Sequence, residues 1–453
     1  MKRRGAHPDA ARRVAYDALS AVDEREAYAN LVLPGLIRRR GLSGRDAAFA
    51  VGLANGTLRL RGTYDAVLAR CLLKGLETVE PPVLRVLRLG SHQILSMRVP
   101  AHAAVSTSVD LVREVVGERA VALVNAVLRR VAEDDLAGWL DRLTCDAGEL
   151  SALAVRHSHP EWIVEAFDTT LQGDRAQLQA LLAADNAAPA VTLAARPGRS
   201  TVTELTKAGG VAGRWSPYAV ELTAGDPGAI AAVAERRAGV QDEGSQLVTL
   251  ALAAARVDGN DLRWLDLCAG PGGKAALLAA LAAQRSAGLL AVDRQERRAG
   301  LVQANLRHAT GALGVVVADG TRPAWRTAAF DRVLADVPCT GLGALRRRPE
   351  ARWRRQRGDL NALVHLQRDL LRAAVDSVRP GGVVGYATCS PLPAETRAVV
   401  GAVLEERTDL VEEDARPLLP EVPDLGPGPH LQLWPHLHGT DAMFLSVLRR
   451  TAG

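Results

Sequence analysis

The sequence has few cysteines and no pair of them spaced for metal binding. Its 453 residues include five cysteines, an odd number, and no Cys-x-x-Cys motif. This pattern excludes a disulfide framework and a zinc knuckle. His157 and His159 come closest to a metal motif, but a metal needs three or four convergent ligands, so we predict that they are surface or capping residues. We expect no metal site, and any cysteine with a chemical role is predicted to act as a thiol.

Long apolar runs are also missing. No stretch reaches the length that spans a bilayer, and residues 1–5 are basic and polar, unlike the start of a signal segment. The composition, with 48% hydrophobic and 24% charged residues, is that of an ordinary globular protein. We therefore expect a cytoplasmic protein with no membrane partner. The length exceeds that of a usual single domain, so two or three domains are expected.

Lysine is scarce, because only four of the 56 basic residues are lysines and the others are arginines. The formal net charge is +5. The planar, forked guanidinium group of arginine binds phosphate and stacks on bases better than an ammonium group does. This charge pattern is compatible with a nucleic-acid partner, but charge alone does not establish that partner.

Residues 1–138 are predicted to form an all-α bundle, because apolar residues recur there at helical spacing. One such stripe comprises Val14, Ala18, Leu19 and Val22. Further predicted helices cover 46–60, 64–73, 83–97, 103–116 and 120–131. Residues 139–238 are predicted to be a small α+β connecting region, since helical patterns there alternate with strand-like patterns at 190–195 and 218–222.

From residue 239 to residue 453, helix and strand alternate, which is the signature of a doubly wound parallel sheet. The strand candidates are 264–267, 289–292, 315–318, 332–336 and 383–388, with 431–433 and 444–448 as a closing pair. The predicted fold class is therefore multidomain: a helical bundle, a small α+β connecting region and an α/β Rossmann-like domain.

A glycine-rich turn joins the first strand of this domain to a helix. Its sequence is Asp266-Leu267-Cys268-Ala269-Gly270-Pro271-Gly272-Gly273-Lys274. Such a turn lets a ligand approach backbone N–H groups at a helix start. A Walker phosphate loop is excluded, because Cys268 and Ala275 stand where that loop needs glycine and Ser or Thr. A dinucleotide fingerprint fits loosely, and S-adenosylmethionine stays open beside it, since its ribose also needs an acidic residue after the second strand.

Acidic residues stand at the ends of four predicted strands, and they are Asp266, Asp293, Asp319 and Asp336. Ligands of such sheets bind outside the carboxyl ends of the strands. A single Asp in such a place is more often a helix N-cap, but four at one sheet edge indicate a site. We predict that Asp293 accepts hydrogen bonds from ribose hydroxyls and that Asp319 accepts from an adenine amino group.

Two cysteines follow the fourth and fifth predicted strands: Cys339 in Asp336-Val337-Pro338-Cys339 and Cys389 in Thr388-Cys389-Ser390. A lone cysteine is usually a small core residue. These two strands are neighbours in the expected topology, so both thiols should face one cleft beside the cofactor. A nucleotide base that enters this cleft can be attacked at a ring carbon.

Taken together, the Asp-x-Pro-Cys and Thr-Cys motifs and the Gly-Pro-Gly-Gly-Lys loop resemble those of the RNA 5-methylcytosine methyltransferases. The N-terminal bundle resembles a NusB-type domain through residues 11–14, 45–49, 56–59 and 123–130. The resemblance covers essentially the whole chain and narrows to the branch that modifies 16S ribosomal RNA. It implies a class I methyltransferase domain and S-adenosylmethionine as cofactor. Two departures, Arg348 for His and Val337 for Ala, are peripheral to the thiols.

The resemblance also implies a role for each site residue. Cys389 would add to carbon 6 of cytosine as a thiolate, which makes carbon 5 nucleophilic enough to take a methyl group. Asp336 would stabilise the charge on the ring, Lys274 would hold the base, and Cys339 would assist release of the hydrogen from carbon 5. The implied cofactor contacts are loop residues 268–274 with Asp293, Arg298, Asp319 and Asp336.

An arginine-rich stretch follows the Cys339 motif, since residues 346–357 contain seven arginines and one acidic residue. A solvated helix face is the simplest interpretation, but the nearby thiols favour a phosphate-binding surface. The predicted RNA contacts are Arg346, Arg347, Arg348, Arg352, Trp353, Arg354 and Arg355. We expect a monomer that acts on 16S ribosomal RNA in an unassembled or partly assembled small subunit, with the target base splayed out. The alternatives are a transfer RNA 5-methylcytosine methyltransferase and a non-catalytic RNA-binding assembly factor.

Overall fold

Two compact units make up the part of the chain that the computed structural model describes, residues 9–452. The first unit comprises residues 9–187 and the segment 345–354, and the second comprises residues 188–344 and 355–452. The predicted boundaries at 138 and 238 differ from these. The helices of 139–187 belong with the first unit, and 188–238 belongs with the second.

The described part of the first unit is built from helices. Its α-helices are Ala10–Arg25, Ala29–Arg39, Gly44–Arg59, Arg61–Cys71, Pro81–Leu95, Ala101–Val115, Val121–Val131, Leu136–Thr144, Glu149–His157, Glu161–Thr170, Arg175–Asn186 and Ala351–Arg354. The predicted helices between 46 and 131 are confirmed, and the stripe that begins at Val14 is buried in the core. The pattern does not predict the helix Ala29–Arg39, because Pro34 stands inside it.

The segment 345–354 belongs to this unit because its side chains are enclosed by the helices. Arg352 is 0% exposed, and its Nη1 donates to the carbonyl oxygen of Ser158 at 2.9 Å and to Oδ1 of Asn186 at 3.0 Å. Burial lowers the pKa of Arg352 to about 10. Trp353 packs closely on Gly62, because a Cβ added to Gly62 would lie 2.3 Å from the ring of Trp353.

These placements correct the predicted RNA contact of Arg352, because an enclosed guanidinium group cannot reach a phosphate. Arg354 likewise donates to backbone carbonyl oxygens, those of Glu26 at 2.8 Å and Val22 at 3.0 Å. These carbonyls belong to the last turn of the helix Ala10–Arg25 and to the residue after it, where carbonyls lack partners within a helix. The arginine-rich pattern therefore reflects, at these two positions, packing within the first unit.

Arg352→Ala is expected to lower the free energy of unfolding by about 3 kcal/mol, because buried carbonyl and amide oxygens would lose their charged donor. Urea unfolding measures this change. Arg45→Ala is the matched control, since Arg45 is exposed at the start of the helix Gly44–Arg59, and it should have little effect. Equal stability of the two variants would contradict the role of Arg352 as a buried anchor.

His159 also differs from its prediction, because it is buried rather than at the surface. Its Nδ1 lies 2.8 Å from the carbonyl oxygen of His157, and its Nε2 lies 3.5 Å from Oδ2 of Asp185. Burial holds the pKa of His159 well below its ordinary value. Within residues 9–452, no group of three or more His, Cys, Asp and Glu side chains is arranged to hold a metal ion.

The second unit begins with a small antiparallel sheet. Its strands are β1 Val191–Ala195, β2 Gly210–Ala212, β3 Ala219–Leu222 and β4 Ala238–Val240, in the order β2-β3-β1-β4. The helices Val202–Lys207 and Ala231–Ala234 accompany it. The sequence predicts β1 and β3, but β2 and β4 are three-residue strands of glycine, alanine and valine that give no alternating pattern.

The larger sheet has the predicted α/β architecture. Its strands are β5 Arg263–Asp266, β6 Gly288–Asp293, β7 Ala312–Val317, β8 Phe330–Asp336, β9 Val378–Thr388, β10 Leu410–Glu413, β11 Leu431–Gln432 and β12 Phe444–Arg450. The order β9-β8-β5-β6-β7 is parallel, β12 pairs antiparallel with β9, and β10 and β11 each pair antiparallel with β12. Its helices are Glu243–Ala254, Gly273–Gln284, Glu296–Leu306, Asp359–Ser377, Arg397–Glu406 and Pro435–His438.

This topology confirms that the fourth and fifth predicted strands are neighbours, since Asp336 of β8 lies opposite Ala387 of β9. The helix Gly273–Gln284 follows β5, and its alanine and leucine side chains are buried in the core. Across residues 9–452, the helices fall short of the length and apolar character needed to cross a membrane.

Candidate active site

The carboxyl ends of the parallel strands meet at one edge of the large sheet, and the loops that leave them carry the predicted site residues. The loop after β5 holds the glycine-rich turn, and the loops after β8 and β9 hold the two thiols. The glycine-rich turn is joined to the ends of two other strands, because the N–H of Gly270 donates to Asp293 of β6, and Lys274, in the helix that follows the turn, donates to Asp336 of β8.

The glycine-rich turn is held in shape by its neighbours. The N–H of Gly270 donates to Oδ2 of Asp293 at 3.0 Å, and a Cβ on Gly270 would lie only 2.2 Å from that oxygen. Gly272 has a φ of +109°, and a Cβ there would lie 3.0 Å from Cα of Val302. Glycine is therefore required at both positions, for close approach at the first and for backbone conformation at the second.

Two side chains of the helix Glu296–Leu306 also hold this turn. The guanidinium group of Arg298 donates to the carbonyl oxygen of Gly270, and Nδ2 of Asn305 donates to that of Pro271 at 2.9 Å. Arg298, which the resemblance implies to be a cofactor contact, therefore supports the loop, and a direct contact stays a prediction. These hydrogen bonds fix the loop through groups of the protein itself.

Asp293 and Asp319 follow the expected pattern of acceptors at strand ends. Asp293 closes β6, and its Oδ1 accepts from the N–H of Gln295 at 2.8 Å. Asp319 comes two residues after β7, and its Oδ1 accepts from the N–H and the hydroxyl of Thr321 at 3.0 and 2.8 Å. These hydrogen bonds lower the pKa of Asp319, so its carboxylate is ionised. Their contacts with ribose and adenine stay predictions.

Asp266, at the end of β5, is a buried carboxyl group, and neither of its oxygens has a hydrogen bond of good geometry, although the N–H of Cys268 lies near. Burial, and after it the nearby negative charge of Asp336, raises the pKa of Asp266 to about 8. A buried carboxyl group that is poorly hydrogen-bonded is costly. The cost of burying this carboxyl group falls when a positively charged group of a ligand lies near it. The position of Asp266 therefore suits a cationic ligand. Asp266 is one of the predicted strand-end acids, but it is not among the cofactor contacts that the resemblance implies.

Asp266→Asn is expected to change how stability depends on pH. Between about pH 4 and pH 8, Asp266 is ionised in the unfolded chain but keeps its proton in the folded protein, so its stabilising contribution is lost as pH rises through this range. The slope is at most about 1.4 kcal/mol per pH unit. Relative to wild type, the variant should therefore become progressively more stable from pH 4 to pH 8. Parallel denaturation curves for the two proteins would contradict the raised pKa.

A half-buried ion pair lies between the glycine-rich turn and the thiols. Nζ of Lys274 donates to Oδ2 of Asp336 at 2.8 Å, and the two side chains are 12% and 24% exposed. Burial acts to lower the pKa of Lys274, but the Asp336 carboxylate outweighs it and raises the pKa. Negative charge on Cys389 raises it further. The ammonium group is thus a fixed positive charge beside that sulfur.

The two predicted thiols lie together, as the neighbouring strands predict. Sγ of Cys339 is 3.4 Å from Sγ of Cys389, and both residues are half-buried. The hydrogen bond to Cys389, and after it burial, holds the pKa of Cys339 well above its ordinary value. Burial also holds the pKa of Cys268 well above its ordinary value. Cys268 and Cys339 therefore keep their protons at neutral pH, and Cys389 is the sulfur next to a cation.

Sequence reasoning missed the polar residues behind the thiols. Glu395 is 0% exposed and bonds to the residues that directly follow each cysteine, Thr340 and Ser390. Its only signal in the sequence is an acidic residue in an otherwise uncharged stretch after Cys389. Arg355, predicted to bind RNA, has its Nε donating to the carbonyl oxygen of Thr340 at 3.0 Å, so it supports the Cys339 loop.

Comparison with known proteins gives a consistent result over both units. Residues 253–449 match the family model described as 16S rRNA methyltransferase RsmB/F, and residues 9–133 match the NusB family. A protein of Mycobacterium tuberculosis that carries only the provisional name of methyltransferase is 52% identical, over 98% of this chain and 97% of its own. Ribosomal RNA small subunit methyltransferase B of Pseudomonas syringae is 32% identical, over 89% of this chain and 88% of its own.

Solved structures share the fold, one over almost the whole chain and one over two thirds of it. The crystal structure of PH0851 has a TM-score of 0.82 and 19% identity, and the match covers 98% of this chain and 99% of that one. A methyltransferase homologue from Pyrococcus horikoshii has a TM-score of 0.55 and 20% identity, over 67% of this chain and 99% of its own.

Proposed function

Because this chain belongs to the RsmB/F family of 16S rRNA methyltransferases, we propose that it methylates carbon 5 of a cytosine in 16S ribosomal RNA, with S-adenosylmethionine as donor. The observation that carries this proposal is the pair of thiols 3.4 Å apart. Transfer to a nitrogen or oxygen atom needs no thiol, because those atoms have lone pairs. Carbon 5 of cytosine has none and must be activated by addition of a nucleophile elsewhere on the ring.

The residues at the sheet edge fit S-adenosylmethionine. Gly270 and Gly272 give a ligand access to the backbone of the turn, Asp293 and Asp319 offer carboxylates at the next two strand ends, and Asp266 is a buried carboxyl group without a hydrogen bond of good geometry. When bound, S-adenosylmethionine supplies an electrophilic methyl group and positive charge. We propose that the turn and these three acids hold it.

Cys389 is proposed as the nucleophile. As its sulfur bonds to carbon 6, the electrons of the C5–C6 double bond form a C4–C5 double bond, and nitrogen 3 takes up a proton. Carbon 5 then has the nucleophilic character of an enamine carbon. Asp336 and Lys274, joined at 2.8 Å, hold the proton that nitrogen 3 needs. Lys274 also stabilises the Cys389 thiolate before the attack, because the ammonium and the thiolate favour each other's charge.

Cys339 is proposed to act after carbon 5 has been methylated. Its hydrogen bond with Cys389 is the main cause of its raised pKa. This cause disappears once the Cys389 sulfur is bonded to carbon, so the Cys339 thiol then loses its proton more easily. Once this proton has passed to solvent, the Cys339 thiolate can accept the proton of carbon 5. Nitrogen 3 returns its proton to the Lys274–Asp336 pair, the C5–C6 double bond re-forms, and Cys389 leaves carbon 6 as a thiolate.

Contacts with RNA are also proposed for the arginine-rich segment, but on fewer residues than the sequence predicts. Arg346, Arg347 and Arg348 are partly exposed, and they remain proposed phosphate contacts. Arg352 is excluded by its burial. The match of residues 9–133 to the NusB family supports docking of RNA by the first unit.

The proposal is tested with purified protein, S-adenosylmethionine carrying a labelled methyl group, and 16S ribosomal RNA from a strain that lacks the gene. Mass spectrometry of the digested nucleosides should show label in 5-methylcytidine. Label in another nucleoside would overturn the carbon-5 assignment. Faster labelling of transfer RNA would favour the alternative substrate, and absence of any binding of S-adenosylmethionine would favour a non-catalytic RNA-binding factor.

A further inference from the structure

Behind the two thiols lies one carboxylate that bonds to both of their loops. Oε1 of Glu395 accepts from the N–H of Thr340 at 2.8 Å, and its Oε2 accepts from the hydroxyl groups of Thr340 at 2.5 Å and Ser390 at 2.6 Å. Thr340 directly follows Cys339 and Ser390 directly follows Cys389. A single side chain thus joins the residue after each thiol.

Other polar groups fix Glu395 itself. Nε2 of Gln367 donates to Oε1 of Glu395 at 3.0 Å and to the carbonyl oxygen of Pro338 at 2.9 Å, so it also holds the residue before Cys339. The hydroxyl of Tyr386, on β9, donates to the carbonyl oxygen of Glu395 at 2.7 Å. The carboxylate therefore accepts four hydrogen bonds, which suits an ionised group without any proton of its own.

The backbones of the two loops touch at a second point. The N–H of Gly343 donates to the carbonyl oxygen of Cys389 at 2.8 Å. A Cβ on Gly343 would lie 2.2 Å from the carbonyl oxygen of Ala442 and 2.8 Å from that of Cys389. The loops are thus packed too closely for any side chain there.

Burial of this carboxylate is costly, and its partners are neutral. Removing a carboxylate from water costs several kcal/mol, which hydrogen bonds offset only in part. Apolar residues of similar volume at these positions would pack the core without that cost. Apolar residues, however, make no directional contacts. The four hydrogen bonds that the Glu395 carboxylate accepts are directional, so they hold the two loops at one separation.

We propose that Glu395 is a positioning residue that sets the separation of the Cys339 and Cys389 sulfur atoms. This inference rests on the proposed function, in which Cys389 attacks the base and Cys339 then accepts the hydrogen of carbon 5. Both thiols must reach atoms of one ring in sequence, and misplacement of a reacting group by about 1 Å can cost roughly a hundredfold in rate. Because Glu395 is 0% exposed and bonds to Thr340 and Ser390, it acts through the two loops.

The test compares Glu395→Gln with Asp331→Asn, because Asp331 is also a buried carboxylate of this unit but lies at the start of β8, at the opposite end of the strand from the thiols. It accepts from Arg379 and from the N–H groups of Leu262 and Arg263. Glu395→Gln should lower kcat for methyl transfer roughly 10- to 100-fold, with an unchanged Kd for S-adenosylmethionine. Asp331→Asn should lose stability but keep the kcat of the wild type.

A second measurement does not depend on methyl transfer. Glutathione disulfide can oxidise the two thiols to a disulfide, with two molecules of glutathione formed, and the equilibrium reports how well the sulfur atoms are held near each other. Glu395→Gln should lower this equilibrium constant at least about tenfold, because the loops are less ordered. Asp331→Asn should leave it unchanged. Equal values for Glu395→Gln and Asp331→Asn in both measurements would overturn the inference.

Two further variants keep the test decisive if Glu395→Gln does not fold. Thr340→Val and Ser390→Ala each remove one hydroxyl that bonds to Glu395, and each should give a smaller decrease in the same two quantities. Wild-type values in both variants would also overturn the inference. If the wild-type protein makes no 5-methylcytidine, the proposed function fails, while the thiol exchange equilibrium still tests Glu395.

Discussion

Replacing Cys389 with serine is expected to abolish formation of 5-methylcytidine, with a loss of rate of at least about a thousandfold, as is usual when an enzyme loses its nucleophile. Serine keeps the shape of the side chain, but its hydroxyl has a far higher pKa than a thiol, so almost no oxyanion is present near neutral pH. The ammonium group of Lys274 cannot correct so large a difference. Neither product nor a covalent protein–RNA complex should form.

The measurement is the initial rate of methyl transfer to 16S ribosomal RNA, with binding of S-adenosylmethionine determined in parallel. Binding should persist in Cys389→Ser, because its affinity depends on the turn after β5 and not on this thiol. Cys145→Ser is the matched control, since Cys145 is exposed in the first unit, and it should retain the wild-type rate. A wild-type rate in Cys389→Ser would remove this residue from the mechanism.

The sequence predicts the architecture of the second unit because its signals are local. The parallel strands contain short apolar runs, and three of the five end in an acidic residue: Asp266 in β5, Asp293 in β6 and Asp336 in β8. Order within the sheet then follows from the rules for doubly wound folds. The adjacency of β8 and β9, and with it the meeting of the two thiols, could therefore be derived before the structure.

Domain boundaries depend on contacts between residues far apart in the chain, and these leave little trace in local patterns. Segment 345–354 follows the Cys339 loop in sequence, yet it belongs with the helices of the first unit because Arg352 bonds to Ser158 and Asn186. In sequence, a buried arginine that satisfies carbonyl groups has the same appearance as an exposed arginine that binds phosphate.

Glu395 was missed for the same reason. A carboxylate is normally an exposed residue, and no spacing rule shows that this one lies behind two loops 50 residues apart. The sequence can place reactive groups at a sheet edge through topology. It does not reveal the buried hydrogen bonds that hold those groups at a working distance, since such bonds depend on the packing of side chains from several elements.

Cys339→Ala is expected to leave the enzyme covalently bound to methylated RNA, because attack and methyl transfer still occur but elimination is slow. Cys389 can still attack carbon 6, and carbon 5 can still take the methyl group, because neither step uses Cys339. Without a base 3.4 Å from the attacking sulfur, the hydrogen of carbon 5 leaves slowly, and the bond from Cys389 to carbon 6 cannot break. Most of the enzyme should then be joined covalently to RNA after a single turnover.

Denaturing electrophoresis detects this complex as a band of reduced mobility that depends on both RNA and S-adenosylmethionine and vanishes after nuclease treatment. The double variant Cys339→Ala/Cys389→Ser should not form it, because the attacking thiolate is absent. A covalent complex formed by Cys389→Ser but not by Cys339→Ala would reverse the two roles. Multiple turnovers without a complex in Cys339→Ala would mean that another group, or water, removes the hydrogen, and the close approach of the two sulfur atoms would then serve the attack alone.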